Sequence, residues 1–300
     1  MKIVAAVVTH NRRELLSRCL DYLQSQTRQP DAILVVNNAS TDGTVEMLER
    51  RGIPFVTQEN VGSAGGWHRS ILHALEHGFD AVWLMDDDGF PDPGALQALS
   101  GALEGGVSCA SSVVVREDAP DRFVFPFPLL DSQGLPVLFG RPRKVSTLAE
   151  LRSVAKTGQY PFAHFFNGAL ISTDAVRNVG NVNRDFFIFG DEVDYFFRLR
   201  TFGRVISVLT ALHYHPDVTQ RPYTPAKIYY YLKNTLILNG LYFNAVWLRH
   251  AAAIVAVLSR TASRNGLGTA LSLVLGASAP VFYSAIVRGL KGSIGKDFHG

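Results

Sequence analysis

Short apolar runs alternate with segments of helical periodicity over the first hundred residues of the chain. Residues 2–8 form a continuous apolar run rich in β-branched side chains, which predicts a strand buried on both faces. In residues 12–26 the apolar side chains recur at helical spacing, which predicts an amphipathic helix. The alternation continues with predicted strands at 32–36, 54–57 and 81–85 and predicted helices at 43–50, 63–77 and 93–103.

This alternation indicates an α/β fold with a Rossmann-like, mostly parallel central sheet and helices on both faces. Ligands of such sheets bind beyond the carboxyl ends of the strands. A polar loop follows each of the first four predicted strands, and we therefore expect site chemistry in these loops. They are THNR (residues 9–12), NNASTDGT (37–44), ENVGSAGGW (59–67) and DDDGFP (86–91).

Three adjacent carboxylates, Asp86, Asp87 and Asp88, directly follow the apolar run AVWLM. Carboxylates at the mouth of a buried strand repel one another, and burial increases this cost unless a cation neutralises them. Because side chains alternate in an extended segment, Asp86 and Asp88 face one side and Asp87 the other. Such hard oxygen ligands suit Mg²⁺ or Mn²⁺, which bridge to substrate phosphates. The alternative is a solvated acidic turn.

The sequence disfavours a P-loop ATPase and a dinucleotide-dependent oxidoreductase. It contains no P-loop motif and no Gly-x-Gly-x-x-Gly after the first strand. Its two cysteines, Cys19 and Cys109, form neither a disulfide framework nor a metal-binding motif, so we expect a reducing compartment. With 47% hydrophobic and 18% charged residues, the composition is that of a globular protein rather than a disordered one.

Charge divides the chain into two regions, although the net charge is only +3. Residues 1–217 carry 25 acidic and 20 basic side chains, whereas residues 218–296 contain nine basic side chains and no acidic one. We therefore predict a catalytic domain at 1–217 and a helical, basic, membrane-associating region at 218–300. The initial apolar run is too short for an export signal, so we expect the active face to be cytoplasmic.

The C-terminal region contains features of membrane-surface helices. In residues 247–264, Arg249, Arg260 and Arg264 fall within an arc of about 60° on a helix, and basic amphipathic helices lie on anionic bilayers. Residues 265–287 carry no charge but include three Gly, three Ser and Pro280, so in-plane or re-entrant association is favoured over spanning. A core helical pair or an oligomer interface is the alternative, and nucleic acid is not an expected partner.

Seven segments, in order, resemble family 2 glycosyltransferases of the GT-A fold, and the resemblance spans about residues 2–217. Within that family the pattern is most similar to bacterial galactofuranosyltransferases, and rhamnosyltransferases share much of it. The resemblance implies an inverting transfer, in which a metal stabilises the leaving diphosphate and a carboxylate takes the proton of the acceptor hydroxyl. The segments are VVTHNR, VVNNASTDGT, NVGSAGGW, WLMDDDG, FNGALI, FIFGDEVDYFFRL and YHPD.

The metal ligands implied by the resemblance come from two places in the chain. Asp86 and Asp88 match the Asp-x-Asp motif, with Asp88 at Mn²⁺ or Mg²⁺ and Asp86 at the ribose or a metal-bound water. His215 of the YHPD segment matches the histidine that the family often supplies as a ligand. His213 lies on the same face of an extended segment, so the choice between the two histidines stays open.

The catalytic base is expected in the acidic start of a predicted helix that follows Gly190. Helix N-termini favour acids for their dipole alone, which is the structural alternative. The resemblance implies that the base is one of the adjacent acids Asp191 and Glu192. Alignment through Asp194 and Arg198 places Glu192 at the base position. The family usually has Asp there, so Asp191 is the alternate.

The donor nucleotide is expected at the same edge of the sheet. The resemblance implies that the N-terminal loop borders the base and phosphates and that Asn37 and Asp42 contact uracil and ribose. Trp67 is alternatively a buried helix residue. The full predicted donor set is Thr9, Asn11, Arg12, Asn37, Asp42, Asn60, Gly65, Gly66, Trp67, Asp86 and Asp87.

The expected function is transfer of a sugar, with galactofuranose from its UDP donor as the first choice, onto a lipid-linked glycan in cell-surface polysaccharide synthesis such as that of O-antigen. The expected location is the cytoplasmic face of the cell membrane, with an anionic membrane surface as partner and an oligomer possible. One alternative is a rhamnosyltransferase using dTDP-rhamnose. The other is a non-catalytic, membrane-associated module that binds nucleotide sugars.

Overall fold

The computed structural model describes residues 1–140, 142–155, 157–218 and 222–298. They form two compact units: the first unit is Met1–Val182 with Tyr195–Asp217, and the second unit is Asn183–Asp194 with the chain from Val218 onward. The charge pattern predicts a division after residue 217, whereas Asn183–Asp194 also belongs with the C-terminal helices.

The first unit is built on a sheet of eleven strands in the described part of the chain. The strands are β1 (Ile3–Thr9), β2 (Ala32–Asn38), β3 (Phe55–Gln58), β4 (Ala81–Asp86), β5 (Phe90–Pro91), β6 (Val107–Arg116), β7 (Arg122–Pro128), β8 (Lys144–Thr147), β9 (Gln159–Tyr160), β10 (Asn167–Ser172) and β11 (Arg204–His215). The helices are α1 (Arg13–Gln24), α2 (Thr44–Arg51), α3 (Gly62–Glu76), α4 (Ala95–Ala102), α5 (Leu148–Val154) and α6 (Thr173–Val179).

The main path of the sheet runs β3-β2-β1-β4-β10-β6-β11-β5. Strands β1 to β4 pair in parallel, as the alternation of strands and helices predicts. Strand β10 then enters antiparallel to both β4 and β6, and β5 is antiparallel to β11. Strands β6 and β11 pair in parallel again. The expected parallel pairing therefore holds for β1 to β4 and for β6 with β11, whereas the antiparallel strands, which were not predicted, make the sheet as a whole mixed.

Strand β1 shows why both faces of the sheet are covered by helices. Its even-numbered residues pack in the cluster that includes Trp67 and Ile71 of α3. Its odd-numbered residues pack in the opposite cluster with α1, α2 and α4. Every residue of β1 is buried, and each buried Val, Leu or Ile stabilises the fold by about 1.5–3 kcal/mol. The continuous apolar run thus follows from burial on two faces.

The second unit consists mainly of four helices, α8 (Pro225–Tyr242), α9 (Val246–Asn265), α10 (Leu267–Leu275) and α11 (Ala279–Leu290). The first turn of α7 (Asp191–Phe202) belongs to the second unit, and the rest of this helix, from Tyr195, belongs to the first unit. The hydroxyl of Thr224 caps α8 by accepting a hydrogen bond from Lys227 N. The core of this unit lies between α8, α9 and α11, and includes Tyr229, Tyr230, Leu232, Leu236, Val257 and Phe282.

The uncharged stretch at 265–287 is divided between α10 and α11. In the described part of the chain, no helix by itself has the length and apolar character needed to cross a bilayer. Leu267–Leu275 and Ala279–Leu290 reach that length and character only when taken together, and they are bent by 65° at their junction.

Close packing of α3 on β1 generates a stability prediction. A Cβ at Gly66 would lie 2.5 Å from Cγ1 and 3.0 Å from Cγ2 of Val8, which is held in the buried strand. We expect Gly66→Ala to lower the free energy of unfolding by about 1–3 kcal/mol, measured by urea denaturation. The matched control is Gly101→Ala in α4, where nothing lies within 4 Å of the added atom. That variant should gain about 0.5–1 kcal/mol from helix propensity, and equal effects of the two would contradict the packing argument.

Candidate active site

Loops that follow β1, β2 and β4 are joined by hydrogen bonds at the carboxyl edge of the parallel strands. Thr9 Oγ1 at the end of β1 donates to Asp87 Oδ2 after β4, at 2.7 Å. Asn11 Oδ1 accepts from the backbone of Thr41 at 2.7 Å, and the backbone of Arg13 donates to Asp42 Oδ2 at 2.9 Å. The structure thus brings these three predicted loops together.

The loop after β3 is tied to the same edge through side chains that the sequence analysis missed. Asn38 Nδ2 donates to the carbonyl of Gly62 at 3.3 Å, and Gln58 Nε2 donates to Asn38 Oδ1 at 2.8 Å. Asn60, a member of the predicted donor set, accepts a hydrogen bond from the backbone of Gly62 at 3.2 Å, and its contact with the donor stays a prediction. The adjacent pair Asn37-Asn38 at a strand end was the available signal for Asn38 in the sequence.

A guanidinium lies between two of the three clustered carboxylates. Arg12 Nη1 is 3.0 Å from Asp87 Oδ1 and 2.9 Å from Asp88 Oδ2. Both carboxylates are almost inaccessible, with 3% and 4% of their surface exposed. Burial raises the pKa of Asp87, and the charge of Arg12 partly opposes this. Arg12 is predicted to border the nucleotide base and phosphates; in the structure it pairs with the two acids, and its contact with the nucleotide stays a prediction.

His215 reaches the acids because β5 pairs with the end of β11. The antiparallel register places Tyr214 opposite Phe90, two residues after Asp88. His215 Nε2 lies 3.0 Å from Asp88 Oδ1, and Nδ1 lies 2.7 Å from the carbonyl oxygen of Pro216. When Nδ1 donates to that carbonyl, Nε2 faces a carboxylate and requires a proton or another cation. Burial lowers the pKa of His215, but the hydrogen bond and charge of Asp88 outweigh it and leave the pKa raised.

His213 occupies a different environment. It is fully buried, and neither of its ring nitrogens has a hydrogen-bond partner among the described residues. Burial, followed by the charge of His215, lowers its pKa to about 3. A Cβ at Gly89 would lie 2.3 Å from Nε2 of this ring, so the glycine of the DDDG segment gives the ring its space. His215, not His213, therefore makes the contact with Asp88.

The donor set fits the expected divalent cation, but it is not assembled as a metal site. Half-buried Asp86 ends β4, and burial, followed by the charges of Asp88 and Asp87, raises its pKa to about 8. Within the described ranges, no three His, Cys, Asp or Glu side chains are grouped to hold a metal. Arg12 and His215 instead occupy the two oxygens of Asp88. Carboxylate oxygens beside an imidazole nitrogen suit Mn²⁺ or Mg²⁺ by their chemistry, so the ligand roles stay a prediction.

Asn37 and Asp42 brace the loop after β2. Asn37 Oδ1 accepts from the backbone of Ser40 at 3.0 Å, and Asn37 Nδ2 donates to Thr57 Oγ1 at 3.3 Å. Burial acts to raise the pKa of Asp42, but hydrogen bonds from Thr44 and the backbone of Arg13 outweigh it and lower the pKa. Their contacts with a nucleotide stay a prediction.

The three predicted donor residues at the start of α3 have packing roles. A Cβ at Gly65 would lie 2.3 Å from Cγ2 of Val61, so little space remains at this helix start. Trp67 stacks on Phe166 with ring centroids 4.6 Å apart and is 1% exposed. The structure thus gives Trp67 the place of a buried helix residue, and donor contacts by Gly65, Gly66 and Trp67 stay predictions.

The acidic helix start is present as predicted, in the first turn of α7 within the second unit. Asp191 is buried, whereas Glu192 is partly exposed and its Oε2 accepts a hydrogen bond from the backbone of Gly190 at 2.9 Å. Asp194 Oδ1 accepts from the hydroxyl of Tyr242 at 2.6 Å. Glu192 is thus the more accessible of the two candidate bases, and the base role stays a prediction.

Comparison with known proteins gives the class of this fold and site. The family model described as Glycosyl transferase family 2 matches residues 5–149. The galactofuranosyltransferase GlfT1 of Mycolicibacterium smegmatis is 36% identical over 222 residues, which are 71% of this chain and 70% of the relative. The chain belongs to the family 2 glycosyltransferases. GlfT1 of Mycobacterium tuberculosis is also 36% identical, over 224 residues and the same shares of both chains.

Solved structures agree on a GT-A-like α/β fold. GalNAc-T7, solved with UDP, GalNAc and Mn²⁺, superposes with a TM-score of 0.61 at 14% identity, covering 82% of this chain. The match spans about half of GalNAc-T7, 49% of its chain. The mannosyltransferase PcManGT of Pyrobaculum calidifontis, solved with GDP-Man and Mn²⁺, gives a TM-score of 0.54 at 17% identity, covering 97% of this chain and 86% of its own.

The raised pKa of Asp86 predicts a pH-dependent stability in the absence of divalent ions. Between its ordinary value of 3.8 and about 8, the folded protein retains a proton that the unfolded chain releases, so stability falls as the pH rises through this window. We expect urea denaturation in a chelator to give a lower free energy of unfolding at pH 8 than at pH 5. The fall should be smaller in Asp86→Asn, which removes the titrating carboxyl. Parallel pH curves for the two proteins would contradict the prediction.

Proposed function

We propose that this chain is an inverting, metal-dependent galactofuranosyltransferase that uses UDP-galactofuranose and extends a lipid-linked glycan in cell-surface polysaccharide synthesis. The proposal is carried by the cluster of Asp86, Asp88 and His215 at the carboxyl edge of the sheet. Its choice of sugar is supported by the 36% identity to the GlfT1 galactofuranosyltransferases over 71% of the chain.

In this proposal the acid cluster serves the leaving group. Asp86, Asp88 and His215 would hold the cation, and a bound cation would supply stabilisation for negative charge on the departing diphosphate. Arg12 lies beside Asp87 and Asp88 and adds a fixed positive charge close to the phosphates. A guanidinium is well suited to this role because it donates several hydrogen bonds in a fixed plane.

Glu192 serves the acceptor. The proton leaves the acceptor hydroxyl for the Glu192 carboxylate as the oxygen bonds to the anomeric carbon and the bond to the diphosphate breaks. Gly190 N holds one oxygen of this carboxylate, which fixes the side chain while the other oxygen stays available. The displacement inverts the anomeric centre because the nucleophile enters opposite the leaving group.

The two carboxylate roles predict different losses in two variants. With Mn²⁺, UDP-galactofuranose and membrane lipid extract, Glu192→Gln should lower kcat by about 10²–10⁴ with UDP binding unchanged, since only the base is lost. Asp88→Asn should weaken Mn²⁺-dependent UDP binding as well as transfer. Calorimetry with UDP and product analysis measure the two effects. The matched control is Asp174→Asn, which removes a carboxylate whose ion pair in the described part of the chain is with exposed Arg177.

The same assay decides between the donor sugars. Transfer from dTDP-rhamnose in preference to UDP-galactofuranose would overturn the choice of sugar. Full activity of Asp88→Asn and Glu192→Gln would overturn the mechanism, and wild-type donor binding without transfer would favour a binding module.

We also propose that the second unit binds an anionic bilayer, which would place the active site at the cytoplasmic membrane face. Leu267, Leu271 and Leu275 recur every four residues on α10 and are all exposed, Leu275 to 85%. Trp247 on α9 is exposed to 78%. No acidic residue occurs between residues 218 and 296, so the field of this region suits anionic lipid.

The predicted arginine stripe contributes less to this surface than its spacing suggests. Arg260 donates to the hydroxyl of Tyr231 at 2.6 Å, and Arg264 lies over the ring of Tyr223 at 4.5 Å. Arg249 lies over the ring of Phe243 at 4.9 Å. The apolar stripe of α10 is therefore the stronger support for membrane binding, with the charge of the region as a second contribution.

Vesicle sedimentation tests this surface. Wild-type protein should bind vesicles containing phosphatidylglycerol more tightly than pure phosphatidylcholine vesicles, and Leu271→Asp should lose most of this binding because it places a negative charge in the apolar stripe. The control is Asp substituted at Gly101 on α4, an exposed helix position of the first unit. Equal binding of Leu271→Asp and wild type would contradict the proposal, as would loss of a solution dimer instead of vesicle binding.

A further inference from the structure

The segment before the acidic helix, residues 183–190, has an unusual backbone; we call it the lead-in segment. Phe187 and Phe189 have φ angles of 64° and 60°, in the left-handed region that aromatic residues rarely adopt. Gly190 follows with a φ of 95°. Such conformations persist only where the surrounding structure enforces them. The lead-in segment therefore requires a partner that fixes its path.

That partner is the side chain of Asn234 on α8. Its Nδ2 donates to the carbonyl oxygens of Phe186 at 3.1 Å, Ile188 at 3.0 Å and Phe189 at 2.7 Å. Asn234 is buried, and its Oδ1 has no hydrogen-bond partner among the described residues. The amide thus acts here as a donor only, and it ties three carbonyls of the lead-in segment to α8.

Close packing also restricts the backbone at Gly190, the last residue of the lead-in segment. A Cβ at Gly190 would lie 3.0 Å from Cδ1 of Leu238, 3.1 Å from Cβ of Asn234 and 3.3 Å from Cδ1 of Phe186. With a positive φ as well, this position accepts only glycine without strain. The backbone at Gly190 is thus fixed against α8 by both contact and hydrogen bonding.

The other side of the lead-in segment is covered by residues 293–298. Gly295 N donates to the carbonyl of Asp185 at 2.8 Å, and Lys296 Nζ lies 5.0 Å from the centre of the Phe187 ring. Lys233, next to Asn234 on α8, holds this covering segment by donating to Gly295 O at 2.9 Å and to Asp297 Oδ1 at 2.6 Å. Two consecutive residues of α8 therefore fix the lead-in segment, one directly and one through its cover.

The consequence reaches the candidate base through Gly190. Its N–H donates to Glu192 Oε2, and its carbonyl accepts from the backbone of Asp194 in the first turn of α7. Any movement of the lead-in backbone therefore moves the group that holds the Glu192 carboxylate. Small displacements of a catalytic group lower the rate strongly because the reacting atoms lose their alignment.

We propose that Asn234 is a positioning residue for the catalytic base: its amide fixes the lead-in segment and thereby the placement of Glu192. This inference rests on the proposed role of Glu192 as the base. It assigns to Asn234 an effect on the chemical step rather than on donor binding, because its hydrogen bonds lie entirely within the second unit.

Three substitutions at Asn234 weaken its hydrogen-bond donor group to different degrees. Asn234→Ser keeps one hydroxyl donor, Asn234→Leu removes the donor at similar volume, and Asn234→Asp places a carboxylate against the three carbonyls. We expect kcat to fall in that order, slightly in Asn234→Ser and at least tenfold in the other two, with the donor KM and the Kd for UDP within threefold of wild type. Hydrogen exchange at residues 186–191 should accelerate in the same order, since the lead-in segment loses its anchor.

The matched control is Asn239→Leu. Asn239 is also a buried asparagine of α8, but its Nδ2 lies 3.3 Å from His250 Nδ1 of α9 and not at the lead-in segment. This variant should lose thermal stability without the selective fall in kcat. If Asn234→Leu fails to fold, Asn234→Ser is used for the test, and its kcat is expected to change more than its KM.

The outcomes separate this inference from the proposed function. Absence of transfer by wild-type protein, or full activity of Glu192→Gln, overturns the function and the base. If the wild type is active and the Asn234 variants keep their kcat, the positioning role alone is overturned. The same holds if the Asn234 variants change in kcat and KM together, without a selective fall in kcat. A selective fall in kcat together with faster exchange at 186–191 supports it.

Discussion

Charge balance around two buried carboxylates is the constraint on which this molecule depends. Leaving either Asp87 or Asp88 unpaired would cost several kcal/mol, because a buried carboxylate has lost its hydration. Arg12 and His215 provide the balance, and they come from opposite ends of the first unit's sequence. The pairing is possible only if β4 lies beside β1 and β5 lies beside β11. The strand order of the fold and the electrostatics of the site are thus parts of one requirement.

The same balance agrees with the proposed binding of a cation at this cluster. Arg12 and His215 satisfy the acids in the protein alone, and His215 does so with a raised pKa. A cation that shares Asp88 with His215 would replace the proton of His215. A positive charge would then still lie beside Asp88, and the carboxylate would not be left unpaired. Burial, followed by the charge of His215, lowers the pKa of His213 to about 3, so this ring holds no proton that a cation could replace near neutral pH.

The sequence was informative where burial leaves a direct mark on composition. Strands β1, β2 and β4 are largely buried, so each appears as an apolar run, and the polar loops after them lie at one edge. A run of apolar residues carries no information on strand direction, which is why the antiparallel insertion of β10 was not predicted. Spacing also does not reveal what covers a helix face: Arg260 contacts Tyr231 of α8, and Arg264 contacts Tyr223, which precedes α8. The link from Asn234 to the lead-in segment joins parts of the chain about 45 residues apart, and no local pattern indicates it.

The second unit is discontinuous, since Asn183–Asp194 is separated in the chain from the helices it packs with. A chimera that exchanges only the region after residue 217 with that of a relative would pair a foreign α8 with the native lead-in segment. The exchanged helices would have to present an amide donor at the position of Asn234 and leave room for Gly190. Residues 183–194 and the helices after residue 217 are therefore expected to be exchanged together between relatives if the second unit is to keep its packing.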